Sequence, residues 1–408
     1  MARRALVREV RTPSGHSPRG TVFHCGSSMP EDDMNTRTLW SRRDFLQAGL
    51  AAVAAAGPLA ASHAAERNML YVACPGIRNY LQFGGAGLLV FDMDHGHRFL
   101  RRIDTPASRA ARPENVKGIC ASARTGRLYF TTLTKLYCID LCTDETLWFR
   151  AYEGGCDRLA IHPQGHRLYV PSLEKDHWHV VDASDGGVVR RVEFSEPKGA
   201  HNTICALDGT RVFLAGLRSR WLHVLDTSTN RLVGKVGPFT APIRPFTVNA
   251  AATRCYCCVN ALLGFEIGDL ETGRFVARVE VKGFRAGPVK RHGCPSHGIG
   301  MTPDERELWV VDAHNQAVHV FAVDGDRVEQ VTSITGLREQ PGWVMFSLDG
   351  RYAYPSTGEV IDTATRRIVA ALTDETGREV HSEKMVQVVF RGRRPLRCGD
   401  QFGIGRQR

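Results

Sequence analysis

A repeat with a period of a little over forty residues runs through most of the sequence. Aromatic residues recur at one position of this repeat, at intervals of 40 to 53 residues. Residues 155–194 show one period clearly, because they contain four short apolar runs separated by turn residues such as Gly165. Four short strands in a period of this length predict a β-propeller, in which each repeat is one blade packed against its neighbours. The aligned aromatic residues are Tyr129, Tyr169, Phe213, Tyr256, Trp309 and Tyr352.

An acidic residue ends the third strand of most repeats, since an aspartate accepts hydrogen bonds from the backbone of the turn that follows it. Counting these residues, with Phe321 and Ala322 in the equivalent place of the sixth repeat, predicts seven blades over residues 65–392. The fold class is therefore all-β, with four antiparallel strands in each blade; a six-bladed or open array is the alternative. The acidic residues are Asp92, Asp140, Asp182, Asp226, Asp269 and Asp362.

The first blade lacks an inner strand of its own. Its visible part begins with residues 69–72, which have the pattern of a second strand. Residues 384–390 from the other end of the chain supply the missing strand most economically, because a ring closed in this way has no open sheet edge. Residues 393–408 are then a C-terminal tail.

The N-terminal part has the pattern of a twin-arginine signal peptide. Arg42 and Arg43 precede an apolar run over residues 45–61, and the small residues that follow predict cleavage after Ala64. The mature protein is therefore expected to be periplasmic or secreted. A membrane anchor is the alternative interpretation of the apolar run.

Signals of this kind usually have short leaders, yet 41 residues precede the arginine pair here. Met34 is therefore a plausible true start, with the signal peptide over residues 34–64 and residues 1–33 as an N-terminal extension.

The charge of the chain is positive. Removing residues 1–64, which hold eight Lys/Arg and five Asp/Glu, lowers the formal net charge from +10 to +7. This balance favours acidic ligands, although an arginine-rich codon usage produces the same result. No basic run interleaved with aromatic residues indicates nucleic-acid binding.

Eleven cysteines remain when Cys25 is removed with the leader, and this odd number argues against a complete disulfide framework. We interpret most of them as small apolar core residues, because they lie at strand positions. Strand alternation places Cys257 and Cys258 on opposite faces of their sheet. The clearest core positions are Cys120, Cys205, Cys255 and Cys257.

The long polar loops all lie on one face of the predicted propeller, and the longest covers residues 283–295. A site is expected on this face, at the mouth of the central channel, because loops on a rigid scaffold converge there. Aligned positions just before the inner strands hold an unusual set of polar and aromatic residues. The predicted ligand-binding residues are Asp157, Arg158, His201, Asn202, Arg244, His297 and Trp343. The alternative is that these side chains hydrogen-bond the backbone between blades or line a solvated channel.

Two of the repeats carry a family resemblance. The segments RLYV…HVVDASDG and RVFLAG…HVLDTSTN are similar to those of the YVTN-type (YncE-like) propellers, which belong to the WD40/YVTN repeat-like folds and are grouped with the quinoprotein amine dehydrogenase β-chain-like superfamily. The resemblance covers roughly residues 68–392 and implies the fold. It implies little about activity, since such propellers include surface proteins and binding proteins.

A metal site is one interpretation of the mouth, with His292, Cys294 and His297 as ligands for copper or zinc. The spacing is not one of the common zinc patterns, and no cofactor is required by the sequence. A phosphate or carboxylate fits better, because Arg158 and Arg244 can grip such groups with two hydrogen bonds.

Three functions follow from these residues. The first is an exported, monomeric propeller that binds a small anion or an envelope protein at the channel mouth. The second is a hydrolase, lactonase or metal-dependent oxidoreductase, with His201 or His297 as general base and Arg244 holding an oxyanion. The third is a structural role at the cell envelope. No Gly-x-Ser-x-Gly elbow, His-Glu-x-x-His motif or phosphate-binding loop is present in the sequence.

Replacing Arg42 and Arg43 by lysine should leave the precursor in the cytoplasm, because the twin-arginine pathway requires the guanidinium pair. The measurement is immunoblotting of periplasmic and cytoplasmic fractions, with Arg37→Lys as the matched control. Normal periplasmic accumulation of the double variant would refute the signal assignment.

Overall fold

The computed structural model describes residues 65–194, 198–289 and 293–406. These residues form seven antiparallel sheets, six with four strands and one with five. Inner strands of successive sheets contact one another around a central channel, so the predicted all-β, seven-bladed propeller is confirmed. No helix in the described part is long and apolar enough to cross a membrane. The predicted signal, with Arg42, Arg43 and the cleavage after Ala64, lies outside the described residues.

In six of the seven blades the strands follow chain order from the channel outward, and in the first blade two C-terminal strands lie inside the N-terminal ones. The first blade begins with β1 (Glu66–Cys74), β2 (Gly87–Asp92) and β3 (Arg98–Ile103). The second and third blades contain β4 (Val116–Ser122), β5 (Arg127–Thr132), β6 (Lys135–Asp140), β7 (Thr146–Ala151), β8 (Ala160–Ile161), β9 (Arg167–Pro171), β10 (His177–Asp182) and β11 (Val188–Glu193). The fourth and fifth contain β12 (Ala200–Cys205), β13 (Arg211–Gly216), β14 (Leu222–Asp226), β15 (Arg231–Val236), β16 (Ile243–Val248), β17 (Arg254–Val259), β18 (Gly264–Asp269) and β19 (Arg274–Glu280).

The sixth and seventh blades contain β20 (Ile299–Met301), β21 (Glu307–Asp312), β22 (Ala317–Asp324), β23 (Arg327–Ile334), β24 (Val344–Phe346), β25 (Tyr352–Pro355), β26 (Glu359–Asp362) and β27 (Arg367–Ala371). The chain then returns to the first blade with β28 (Met385–Arg391) and β29 (Arg394–Cys398). A short 3-10 helix, Met93–His95, joins β2 to β3.

The strand β28 closes the ring, because it pairs with β1 along seven residue pairs, including Leu70 with Gln387 and Val72 with Met385. The prediction that residues 384–390 supply the first blade's inner strand is confirmed. The segment assigned to a tail contains a further strand, β29, which pairs with β28 on the channel side.

The acidic residue at the end of the third strand acts as predicted. In the second blade, Oδ1 of Asp140 accepts hydrogen bonds from the backbone N–H groups of Cys142 at 2.8 Å and Thr143 at 3.0 Å. The third strand of the sixth blade has the same bulge, at Val320 and Phe321, but runs on to Asp324 before it turns. Its hairpin is therefore longer, and this explains why the sixth repeat departs from the pattern.

The register corrects one aligned aromatic residue. Arg167 pairs with Asp182 in the third blade, whereas Tyr352 occupies the corresponding place opposite Asp362 in the seventh. The residue equivalent to Tyr169 is therefore Tyr354, which is fully buried. The sequence pattern predicts Tyr352, the first aromatic residue of the strand, whereas the register identifies the second, Tyr354.

The core consists of seven apolar clusters, each shared by two neighbouring blades. Strand alternation sends successive residues of a blade into the clusters on its two sides. Cys257 thus packs between the fourth and fifth blades and Cys258 between the fifth and sixth, as predicted. Nine of the eleven cysteines in the described part are buried, and all eleven are free thiols.

The segment after β29 lies in the central channel. The amide side chain of Gln401 accepts a hydrogen bond from the backbone N–H of Ile119 at 3.2 Å and donates one to the carbonyl of Leu159 at 3.0 Å. On the other side of the channel, the carbonyl of Gly403 accepts from the backbone N–H of Met301 at 2.8 Å. These bonds connect the segment to the inner strands of the second, third and sixth blades, so the channel is plugged by the chain's own end.

Ending the chain before Lys384 should uncover β1 and remove the plug. Val386, Val388 and Phe390 would be lost from the core, and burial of each such side chain contributes roughly 1.5–3 kcal/mol. We expect aggregation, or a loss of more than about 5 kcal/mol in the free energy of unfolding. Size-exclusion chromatography and denaturant titration measure both. Deleting only residues 407–408 is the control, and equal stability of the two truncated proteins would contradict ring closure by β28.

Candidate functional site

The predicted site residues lie at the channel mouth, on the face where the inner strands begin. Register defines the equivalent positions: Tyr129 pairs with Cys120, Tyr169 with Ala160, and Tyr71 with Val386. Counting back three residues from each inner-strand partner gives one residue from each blade, and we call this set the channel-mouth ring. The ring is Lys117, Asp157, His201, Arg244, His297, Gly342 and Glu383.

Three ring residues lie on β-bulges. The register of the inner strand shifts around Lys117, around His201 and around Arg244. A bulge inserts an extra residue and redirects its side chain. Counting eight residues back from the turn glycine, which gives Asp157 from Gly165, gives Gly118 instead of Lys117 in the second blade, because Gly126 lies one position later in its turn than Gly165 does.

Asp157 and His201 form a buried pair. The carboxylate Oδ2 of Asp157 accepts a hydrogen bond from Nδ1 of His201 at 2.7 Å, and Oδ1 lies 3.4 Å from Nζ of Lys117. Because a carboxylate only accepts, the Nδ1 of His201 carries the proton and Nε2 presents a lone pair. Asp157 thus holds the imidazole in one orientation and one tautomer.

Arg158 crosses the channel. Its guanidinium carbon lies 3.5 Å from the centroid of the Trp343 ring, which belongs to the seventh blade. Its Nη2 donates a hydrogen bond at 2.7 Å to Oε2 of Glu383, which precedes the inner strand of the first blade. The side chain is 2% exposed, so this arginine from the third blade connects the opposite side of the ring in a nearly dry environment.

Glu383 and Lys384 complete the network. Nζ of Lys384 donates to Oε2 of Glu383 at 2.9 Å and to the carbonyl of Gly76 at 2.7 Å. Nδ1 of His297 donates to the carbonyl of Gly342 at 3.1 Å and lies 4.0 Å from Oε1 of Glu383. Glu383 and Lys384 were not predicted, although their position just before the ring-closing strand was a sufficient signal.

Arg244 has a different environment from the other predicted residues. Its Nε donates a hydrogen bond to Oδ1 of Asn260. The backbone of Gly293 covers the guanidinium so closely that a Cβ atom there would lie 2.8 Å from Nη2. The structure therefore places Arg244 under the long loop, at the edge of the network that joins Asp157, Arg158 and His201.

The predicted metal ligands are only partly described, because His292 lies outside the described residues. Cys294 is buried, and its thiol donates a hydrogen bond to the carbonyl of Ser296 at 3.0 Å. Burial raises the pKa of Cys294 to about 12, although nearby Arg244 opposes the shift, so a neutral thiol is present at physiological pH. Among residues 65–194, 198–289 and 293–406, no three His, Cys, Asp or Glu side chains lie close enough together to hold a metal ion.

Several buried polar atoms of the mouth have no hydrogen-bond partner in the described chain. They include Nε and Nη1 of Arg158 and both side-chain atoms of Asn202; Oδ1 of Asp157 also lacks a hydrogen bond, although Nζ of Lys117 lies 3.4 Å away. Asn202 is 1% exposed and forms a backbone bridge with Arg158. Buried polar groups are normally paired, and an unpaired one costs roughly 1–3 kcal/mol. These atoms thus have hydrogen-bonding capacity that the protein itself does not use.

Burial shifts the pKa values of the titratable side chains at the mouth. It lowers the pKa of His201, although Asp157 opposes the shift, so the imidazole is neutral. Burial alone would raise the pKa of Asp157, but His201 and Lys117 hold it below the usual range. Burial also lowers the pKa of Lys384 to about 7, against the attraction of Glu383.

No protein-family model matches the chain. No curated protein matches it either.

Lys384 should make stability depend on pH. Its pKa is about 7 in the folded protein against an ordinary value of 10.5, so the unfolded chain binds one more proton between these values. The free energy of unfolding should rise with pH across this window, by up to about 1.4 kcal/mol per pH unit from this residue.

Denaturant titrations between pH 7 and 10 measure the slope. Lys384→Met, which never carries a charge, and Lys384→Arg, which always does, should both reduce it. An unchanged slope in both variants would show that Lys384 does not change protonation on unfolding. Arg158, Glu383 and Lys117 also act on this group, and they are unaltered in both proteins.

Proposed function

We propose that this protein is an exported binding propeller, of the YncE-like type, that takes a small carboxylate or phosphate anion at the channel-mouth ring. The observation that carries the proposal is the set of buried donors without partners, Nε and Nη1 of Arg158 and Nδ2 of Asn202. An anion supplies the acceptors that these donors lack. Charge-assisted hydrogen bonds of this kind are stronger than neutral ones.

The charge of the mouth supports an anion rather than a cation. The mouth contains four lysine and arginine side chains and two carboxylates. The cationic residues are Lys117, Arg158, Arg244 and Lys384, and the carboxylates are Asp157 and Glu383. A bound anion would offset this excess in a low-dielectric place, where charges interact strongly.

The mouth is also preorganised. Trp343 supports the flat face of the Arg158 guanidinium, and Glu383 fixes one of its ends. An arginine held in this way loses little side-chain entropy when it binds a ligand. Half-buried Lys117 and Arg244 lie nearer the solvent, where positive charge attracts an approaching anion.

Export and family membership rest on the sequence. The arginine pair with its apolar run supports the periplasmic assignment, and the YVTN-type repeats support the family. Both fit a protein that samples small anions outside the cytoplasm.

An enzyme is the second candidate, favoured by one observation. The bond from His201 Nδ1 to Asp157 leaves Nε2 as a proton acceptor, which is the arrangement of a general base oriented by a carboxylate. A hydrolytic water would take the place of a protein nucleophile, with Arg244 or Arg158 holding the oxyanion.

Asn202→Leu tests the proposal, because leucine has nearly the shape of asparagine without its polar atoms. Without an anion, the variant should be more stable than the wild type by about 1–2 kcal/mol, since an unpaired buried amide is removed. It should also lose most of the anion-dependent rise in thermal midpoint. The probes are sodium phosphate and sodium succinate, compared with sodium chloride at equal ionic strength, with calorimetric titration for affinity.

Asn249→Leu is the matched control, because this asparagine is satisfied and caps the turn at Thr253 and Arg254. It should lose stability and keep anion binding.

His201→Ala should weaken affinity only modestly if the site binds without chemistry, and should abolish turnover of a labile ester or lactone if the site is catalytic. Equal anion binding by Asn202→Leu and wild type would rule out the proposed site.

A further inference from the structure

A large cavity lies at the opposite end of the channel from the mouth. Its volume is about 920 Å³, and it opens on the face of the tight turns between first and second strands. The sequence predicted no site on this face, because it has no long loops. The cavity is close to the upper size of small-molecule sites, which span about 300–1,000 Å³.

The C-terminal segment creates the cavity by filling only one side of the channel. Residues of the segment 396–406 form one wall, and the other is formed by inner strands and turns of the second, third and fourth blades, with the turns of the fifth and seventh. Gln401 bonds to Ile119 and Leu159 at the inner end. Its carbonyl accepts a hydrogen bond from the indole of Trp343, so this layer separates the cavity from the mouth network around Arg158.

The walls are mostly apolar. The large aliphatic residues in the lining that keep some exposed surface are Ile161, Leu207, Leu348 and Leu396. Three cysteines complete the lining: Cys120, Cys205 and Cys398. Burial raises the pKa of Cys398 to about 12 and that of Cys120 well above its ordinary value, so these thiols are neutral and behave as small apolar groups.

The polar groups in the wall are already used by the protein. Asp400 accepts hydrogen bonds from the backbone of Phe402 and Ile404, and it pairs with Arg406 at 2.7 Å. His162 bonds to the carbonyl of Gly209 and the N–H of Gln164. A ligand would therefore find hydrocarbon and thiol surface in the interior.

The rim differs from the interior in carrying charged side chains of both signs. Arg397 pairs with Glu66 at the first blade, and Asp208 is bound to Thr210 in its own turn. Arg124 is exposed, and no hydrogen bond or ion pair of its side chain occurs within the described residues. Arg124 thus provides a cation at the opening of an apolar space.

We infer that this cavity binds an amphipathic anion, a molecule with a hydrocarbon body and one terminal carboxylate or sulfonate. The body would lie against Ile161, Leu207, Leu348 and Leu396, and burial of apolar surface would supply most of the affinity. The anionic end would remain at the rim beside Arg124. This site is independent of the anion site at the mouth, because the Gln401 layer separates the two.

Fluorescence titration with 1-anilinonaphthalene-8-sulfonate, followed by displacement with dodecanoate, tests the inference. We expect one probe molecule per chain and full displacement by dodecanoate. Leu207→Trp and Ala251→Trp place a bulky ring at the cavity wall from two different turns, and each should weaken binding more than tenfold. Two cavity-filling variants are used, so that the second still tests the site if the first does not fold.

Arg124→Gln should weaken dodecanoate about fivefold, as expected for one exposed ion pair, and should leave neutral methyl dodecanoate unchanged. Arg306→Gln is the matched control, since Arg306 lies in the equivalent turn region of the sixth blade, is 83% exposed and does not line the cavity. Undiminished binding in a folded filler variant would overturn the site. An equal effect of Arg124→Gln on the acid and the ester would overturn the role of the charged rim.

Discussion

The pairing of β28 with β1 is the constraint on which the rest of this structure depends. A ring of blades is stable only when its first and last sheets are joined, because an open ring leaves two sheet faces and a strand edge exposed. Here the two ends of the domain share one sheet, with Leu70 opposite Gln387. This pairing also brings Glu383 and Lys384 to the mouth and carries the following residues into the channel. One register thus fixes the fold, completes the mouth network and closes the pore.

The buried charges of the mouth carry a large desolvation penalty. Transferring charges such as Arg158 and Glu383 out of water is expensive, and a buried ion pair repays the penalty only with good geometry and additional hydrogen bonds. Arg158 has one such bond and the face of Trp343, but its remaining donors are unpaired. A purely structural network would be expected to satisfy these donors. The proposed anion would supply acceptors for these donors.

The fold could be predicted because its determinants are local and repeated. Each aspartate at the end of a third strand bonds to the turn beside it, so Asp140 and its equivalents mark the blades within a few residues of sequence. The site was harder to predict, because its determinants are not local. Lys117 lies one position earlier than its turn glycine Gly126 indicates, and Glu383 reaches Arg158 only through ring closure. The spacing of the repeats reveals neither position. The pairing of Tyr71 with Val386 would have identified Glu383 as a ring residue.

The position of the C-terminal segment is still harder to predict from the sequence, and this segment divides the channel. Gln401 and Gly403 belong to no repeat, and their hydrogen bonds go to residues more than 100 positions away, so no periodic pattern indicates their place. Their effect is to divide one channel into two compartments of opposite character. The mouth side carries charged residues, whereas the turn side holds the mostly apolar cavity. A molecule that suits one compartment is unsuited to the other, since a small anion gains nothing from aliphatic walls and a hydrocarbon gains nothing from arginine. The C-terminal segment thus separates the channel mouth from the apolar cavity, so the two proposed sites can be tested independently.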